Sequence, residues 1–328
     1  MAFILKKFIK RFNQRGHNAA SERVFIAAFG KHPGWDDHID DIGLDTDVLV
    51  AVKRILYTQG IGSNIDSGSW DKLEENQRVE KFGHTLLWCI NGDIVAGRLW
   101  SSRDGKGRSS YPMVVCVQCS KLQLSWVITN IMPRMEAIEQ ACNSTNSAVE
   151  VIKIIEDARN QFRQLAQNCE PESKTSIDSS HLLAQLAELP QMGPNRQGLH
   201  RVLYHIEREV LQPGPGTGKA GQLRPALIRL QTSNDVRENV LLWIGFLLAK
   251  FGPNIQILVI MPLWNPWIDI VIGEPTDLHL FCLRASVGVV PLTSSIPYNM
   301  DSEFTNRINK LIEDAHGNDT PKTSTETT

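Results

Sequence analysis

Asn91 and Gly92 stand between two apolar runs, Thr85–Ile90 and Ile94–Trp100. Asn-Gly suits a two-residue hairpin turn, because both central positions of that turn need a positive φ. The two runs are therefore expected to be antiparallel neighbours, and the rest of the chain must build outward from that pair. Val24–Phe29 reads as a buried strand. Asp45–Tyr57 carries helix-spaced apolar residues behind Asp45, Thr46 and Asp47 as start signals. Tyr111–Cys119 reads as a further strand, and about twenty helical residues follow near Leu122–Cys142. The order strand, helix, three strands, helix predicts an α+β class: an antiparallel sheet flanked by helices.

The middle of the chain, near Ser144–Leu211, reads as helical, with segments at Val149–Leu165, Ser179–Leu189 and Leu199–Leu211. Pro213–Gly221 reads as a linker. A strand–helix–three-strand order then returns, with Pro225–Leu230, Val236–Phe251, Ile255–Ile260, Trp267–Ile272 and Leu278–Leu283. Either the module is duplicated or a common arrangement occurs twice. The expected organisation is a basic amphipathic arm over residues 1–22, an α+β domain over 23–143, and a helical region and linker over 144–222. A second α+β module over 223–298 follows, and 299–328 holds a helical remnant and a disordered tail from Asn309 onward.

The chain has 328 residues, a net charge of -2 and 42% hydrophobic residues, which excludes disorder throughout. The balanced charge argues against a dedicated nucleic-acid binder. The richest apolar stretch, Val240–Ile260, is interrupted by Lys250, Gly252, Pro253 and Asn254, so no membrane span is expected. Six cysteines are too few for a disulfide scaffold, and reduced thiols in the cytoplasm are expected.

The arm is distinctive. Lys6, Lys7, Lys10, Arg11 and Arg15 face Ile4, Leu5, Phe8, Ile9 and Phe12 across a helix of period 3.6. That is the pattern of a helix lying on an anionic membrane surface, here the inner membrane face. The alternative is a helix docking its phenylalanines on the body of the protein.

Several motifs carry less than they suggest. Gly214–Lys219 looks like a phosphate loop, but Pro213 stands where the first glycine belongs and Ala220 replaces the magnesium-binding hydroxyl. Cys116 and Cys119 have an odd spacing on a strand, which places the thiols on opposite faces. Of the eight tryptophans, Trp88, Trp100, Trp126 and Trp243 sit in apolar periodic segments and are expected in the core. Trp35, Trp70, Trp264 and Trp267 lie in or beside loops, as a partner surface or as packing beneath those loops.

Two loops are chemically loaded. His32–Asp41 holds two histidines and four aspartates. It fails as a calcium loop, since Asp41 occupies the place that needs glycine. Its aspartates suit turns and helix starts, and Gly34 suits an unusual backbone conformation. The alternative is a metal-dependent enzyme using this loop. No metal, nucleotide or other cofactor is expected, and replacing His32 or His38 is expected to change stability slightly. Ser101–Pro112 carries Arg103, Lys106 and Arg108, and either binds phosphate or pairs with the acidic loop. In the second case Arg108 pairs with Asp36 or Asp37.

The two loops together carry a family likeness. Phe29, Gly30, Lys31, His32 and Pro33, followed by Asp36 and Asp37, resemble the opening motif of the TagF/ImpM family of type VI secretion-associated proteins. Gly105–Arg108, followed by Tyr111, Pro112 and Met113, resembles that family's Gly-Arg-x-Phe/Tyr-Pro-Leu motif. The likeness spans about Val24–Cys119, and Trp35, Asp36, Asp37 and His38 stand where the family has a Gly-Asp-Phe element. It implies a longin- or profilin-like N-terminal domain and a non-enzymatic regulator that binds a forkhead-associated scaffold protein. The residues it marks for partner binding are Gly30, Lys31, Pro33, Trp35, Asp36, Asp37, Arg108, Tyr111 and Pro112. A membrane-surface, longin-like scaffold for a small GTPase is the other non-enzymatic alternative.

Overall fold

A computed structural model describes residues 23–167, 169, 179–210, 224–232 and 236–317. The arm with Lys6, Lys7, Phe8, Ile9, Lys10, Arg11 and Phe12, the linker at 213–221 and the tail from 318 onward lie outside the described residues.

The described chain is α+β. Its strands are β1 (Val24–Gly30), β2 (Gly83–Ile90), β3 (Asp93–Trp100), β4 (Met113–Ser120), β5 (Ala226–Gln231), β6 (Ile257–Pro262) and β7 (Trp267–Ile272). They form one sheet in the order β1-β4-β3-β2-β6-β7-β5, and every neighbouring pair is antiparallel. The hairpin forms as the sequence requires. Ile90 pairs with Asp93, and Asn91 and Gly92 sit at φ 53° and 82°, the two positive values of a type I′ turn.

Helices cover both faces. On one face lies the helix that begins as α1 (Asp47–Val52), continues with π-type turns over Lys53–Gly62 and closes at Ser63–Asp66. Thr46 caps it, its hydroxyl accepting from the Leu49 amide at 3.1 Å. The helix runs on through Gly60, Ile61 and Gly62, all buried, and Gly60 packs so closely against Leu280 that a Cβ there would collide with it. The other face carries α2 (Leu124–Asn130), α3 (Met132–Asn143), α4 (Ala148–Gln167), α5 (Ser179–Ala187), α6 (Gln197–Glu209) and α7 (Val236–Phe251).

Three expectations are corrected. The helix near Leu122–Cys142 is two helices, because Pro133 lacks an amide hydrogen and opens a new helix after Ile131. Leu278–Leu283 is not a strand but α8 (Asp277–Leu280) and a 3-10 turn at Phe281–Arg284. Thr276 and His279 form a capping box there, and burial follows a helical spacing: Leu280 and Leu283 are inside while Leu278 is 79% exposed. The tail expected from Asn309 is helical as far as α9 (Ser302–Gly317), which buries Phe304, Ile308, Ile312 and Ala315 at spacings of four, four and three.

These corrections bear on the duplication. The second half lacks the fourth strand of the first. A two-fold normal to the sheet between the antiparallel β2 and β6 would preserve faces, yet the helix after β1 and α7 after β5 lie on opposite faces. The two halves are therefore not related by that symmetry. Their strands share one sheet, with β2 and β6 paired from His84–Pro262 to Cys89–Ile257.

Burial sorts the side chains as the pleat demands. Cys116 joins the core on one face and Cys119 on the other, and burial pushes the Cys116 thiol up to about 12. Trp88, Trp100 and Trp243 are core, with Trp126 half-buried beside them. Of the loop tryptophans, Trp70 and Trp267 are buried and Trp35 is half-buried against the core. Trp264 is 65% exposed, with its ring laid over the Gly83 backbone.

Candidate functional site: two loops joined at Asp104

The register of the sheet brings the two loaded loops together. Gly30, the last residue of β1, lies opposite Met113, the first of β4, and Trp100 at the end of β3 lies opposite the same Met113. The loop leaving β1 and the loop joining β3 to β4 thus start from one end of one sheet. Gly30 makes the approach close. Its φ is 107°, a Cβ there would sit 2.2 Å from the Pro112 carbonyl oxygen, and the Lys31 amide donates to that carbonyl at 3.2 Å.

Asp104 holds the loops together. Its Oδ1 accepts from the amides of Lys106 (3.0 Å) and Arg108 (2.9 Å), and its Oδ2 from Lys31 Nζ (2.6 Å) and Arg108 Nε (2.7 Å). Asp104 and Lys31 are 1% and 4% exposed. Burial alone would raise the Asp104 carboxyl, but the Lys31 ammonium and the Arg108 amide and guanidinium hold it well below the usual carboxylate range. Asp104 is the only acid in the basic loop, a signal the sequence offers and that a reading for basic residues passes over.

Arg108 does pair with the acidic loop. Its Nη2 lies 3.1 Å from Asp37 Oδ1 and donates to the Asp36 backbone carbonyl at 2.9 Å. The Asp36 carboxylate itself is exposed and, among the described residues, has Lys106 as its ion-pair partner, at 3.9 Å. Desolvation is the largest single influence on the Asp37 carboxyl and raises it, but Arg108, His38 and Lys31 together outweigh it, so the group ionises below its ordinary value. The Gly105 amide donates to the Trp35 carbonyl at 2.7 Å and closes the seam.

The two histidines have different fates. His32 is buried; its Nδ1 accepts from the Gly34 amide at 3.1 Å, so Nε2 carries the proton given to the Cys142 carbonyl at 2.9 Å. Both ring nitrogens are therefore occupied inside the protein. Gly34 is needed for closeness rather than an unusual φ, since a Cβ there would meet the Ala148 amide nitrogen at 2.5 Å. His38 is exposed, with Nδ1 3.1 Å from Asp37 Oδ1. Among the described residues no group of three His, Cys, Asp or Glu side chains converges as a metal set.

Of the nine residues marked by the motifs, Gly30, Lys31 and Pro112 are buried and build the junction, Pro33 and Trp35 are half-buried, and Asp36, Asp37 and Arg108 are exposed. Tyr111 is half-buried and opens a cleft of about 590 Å³ on the α1 side, with Asp37, His38, Tyr57 and Asp66 among its walls. The His38 and Tyr111 rings meet edge to face at 5.2 Å, and Tyr57 lies 5.5 Å from Tyr111. Burial, reinforced by Tyr111 and by Asp37 and Asp41, raises the Tyr57 hydroxyl far above its ordinary value. Tyr57 lies at the end of the stretch that apolar spacing reads as helix, but the π-type winding that turns its ring into the cleft is not legible in that spacing.

Comparison with known proteins adds little. No family model matches the chain, and no curated protein matches it. Among solved structures the chain is similar to PA0076 from Pseudomonas aeruginosa PAO1, at 14% identity over 47% of this chain and 66% of that one, with a TM-score of 0.28. So little of the backbone superposes that the likeness bears on neither fold nor function. Among the described residues no helix is long and apolar enough to cross a membrane.

Proposed function

We propose that the chain is a non-enzymatic, protein-binding regulator or adaptor of a type VI secretion-like system, acting in the cytoplasm. The observation that carries this reading is the junction itself. Residues whose sequence resembles the two TagF/ImpM motifs are tied by Asp104 into one surface, on which Asp36, Asp37, Lys106 and Arg108 stand exposed in alternating charge. Such a surface favours a charged protein partner, for which a forkhead-associated-domain protein is the candidate. The arm from Lys6 to Phe12 adds, on this reading, peripheral contact with the anionic inner membrane face. The metal-enzyme alternative loses ground because His32, its buried histidine, has no free ring nitrogen.

The test is direct titration of the full chain with a purified forkhead-associated-domain protein from the same secretion gene cluster. Asp36→Arg, which reverses an exposed charge that supports no fold contact beyond Lys106, should abolish binding with little change in melting temperature. Unchanged affinity in that variant would remove this surface from the interface.

A further inference from the structure

The loop from Ser101 to Pro112 carries three cations, and the junction accounts for two. Arg108 is held by Asp104 and Asp37, and Lys106 faces Asp36. Among the described residues no carboxylate lies within ion-pair distance of Arg103. Arg103 instead borders a separate pocket of about 350 Å³, lined also by Ser101, Ser102, Ser109, Asn143 and, from the acidic loop, His32 and Pro33. Its size is at the lower end of small-molecule sites, about 300–1,000 Å³.

The hydrogen bonds at Asn143 and Ser101 consume acceptors and leave donors, whereas the Thr145 hydroxyl already gives its hydrogen to Glu150. Trp100 Nε1 can only donate, and it lies 3.0 Å from Asn143 Oδ1, so the amide nitrogen of Asn143 is left over. The Ser101 hydroxyl accepts from the Phe82 amide at 2.8 Å, which leaves its own hydrogen to give. Two of the last carbonyls of α3, which would repel an anion, are taken: Ala141 by the Ser144 hydroxyl at 2.7 Å and Cys142 by His32 at 2.9 Å. Thr145 and Asn146, also in the lining, run directly into the N-terminus of the 20-residue helix α4, whose positive end already faces Glu150 in its first turn. No carboxylate lines the pocket.

We propose that this pocket binds an oxyanion of the phosphate-monoester class, with Arg103 supplying the charge and Asn143 and Ser101 directional donors. A guanidinium fork with flanking hydroxyl and amide donors matches the three terminal oxygens of such a group. The space beyond those oxygens accommodates the side chain or small molecule that carries the phosphate. This site contains none of Asp104, Asp37 and Arg108, and it meets the acidic loop at His32 and Pro33.

The test uses the full chain, followed by amide chemical shifts and calorimetry during titration with inorganic phosphate, phosphoserine and acetate. Phosphate and phosphoserine should each saturate and perturb Ser101–Arg103 and Asn143–Asn146. Equal affinities would mean that the phosphate alone is read, and tighter phosphoserine would point to a phosphorylated side chain. Arg103→Ala should weaken binding at least ten-fold and Arg103→Lys less. Asn143→Asp keeps the acceptor for Trp100 but adds a negative charge, and should abolish binding. Lys106→Ala, outside the pocket lining, should leave it unchanged. Acetate binding as tightly as phosphate, affinity unaltered by Arg103→Ala, or no saturable change at tens of millimolar phosphate would each overturn the assignment.

Discussion

The Lys31 ammonium lies 2.6 Å from the Asp104 carboxylate, although 73 residues separate them and almost no solvent reaches either. A buried charge without its partner is far more costly than an exposed one, so this pair fixes the two loops against each other. The exposed pairs around it are held in place by that contact rather than the reverse.

Asp104→Asn should therefore lower the melting temperature more than Asp37→Asn or Arg108→Ala, because it leaves the Lys31 charge buried beside a neutral amide. The pH dependence has a definite sign. Asp104 ionises lower in the folded than in the unfolded chain. Its contribution is thus full above the unfolded value, near pH 4, and is lost as pH falls toward the folded one. Denaturation series below pH 4 should show a shallower acid loss in Asp104→Asn than in the wild-type chain. Parallel curves would mean that the carboxylate is not held as described.

Much of the sheet is legible in the sequence, because a period of two and an Asn-Gly turn are local signals. Trp267–Ile272 and Val236–Phe251 fall where their patterns place them. Leu278–Leu283 misleads, since a short apolar run has no length to separate strand from helix and the deciding signal is the capping pair Thr276 and His279. Within the site, the pairing of Arg108 with the acidic loop follows from charge complementarity. Asp104 and Tyr57 do not, because burial depends on contacts between distant segments.

His84 should contribute to the acid response at milder pH. It is 1% exposed in β2, and burial, with Arg229, Arg284 and Arg98 nearby, pushes its ring down to about 3. The unfolded chain takes up this proton near pH 6.5 and the folded chain does not. Stability from this group is therefore full above about 6.5 and falls toward pH 3, by roughly 1.4 kcal/mol for each unit between. Between pH 6.5 and 4.5 the difference in slope between wild type and His84→Gln, from chemical denaturation, isolates it. Equal slopes would count against a neutral buried ring.

The two histidines of the acidic loop should respond differently, which revises the slight effect that sequence alone suggests for both. His32→Ala removes both partners of a buried ring, stranding the Gly34 amide and the Cys142 carbonyl. It should cost about 1–3 kcal/mol for each group left unsatisfied. His38→Ala removes an exposed ring and should stay within about 0.5 kcal/mol of wild type. Urea denaturation at neutral pH compares them, and equal values would contradict the hydrogen bonds assigned to His32.

A second buried pair anchors the other half of the sheet. Arg229 in β5 and Asp269 in β7 face each other with two hydrogen bonds at 2.7 and 2.8 Å. The guanidinium also donates to the Ala285, Val290 and Cys282 carbonyls, so the loops after β7 depend on it. Asp269→Ala should cost roughly 3–5 kcal/mol, since it leaves the guanidinium uncompensated. The double variant Arg229→Met with Asp269→Leu should cost less than the two single changes together, as a thermodynamic cycle would show.

The last prediction separates Asp36 from Asp37. Adjacent in sequence and both exposed, they meet Arg108 through different atoms: Asp37 through its carboxylate at 3.1 Å, Asp36 through its backbone carbonyl at 2.9 Å. Replacing a side chain leaves a backbone acceptor in place. Asp37→Asn should therefore show coupling with Arg108→Ala in a double-mutant cycle, and Asp36→Asn should show none. The coupling with Asp37 should shrink as salt is raised, because both partners are more than half exposed, at 52% and 63%. Any contact Arg108 keeps with buried Asp104 should persist in the same salt series, since solvent ions do not reach it. A cycle in which Asp36 couples and Asp37 does not would reverse the assignment, placing the Asp36 carboxylate over the guanidinium and turning Asp37 outward to the partner surface.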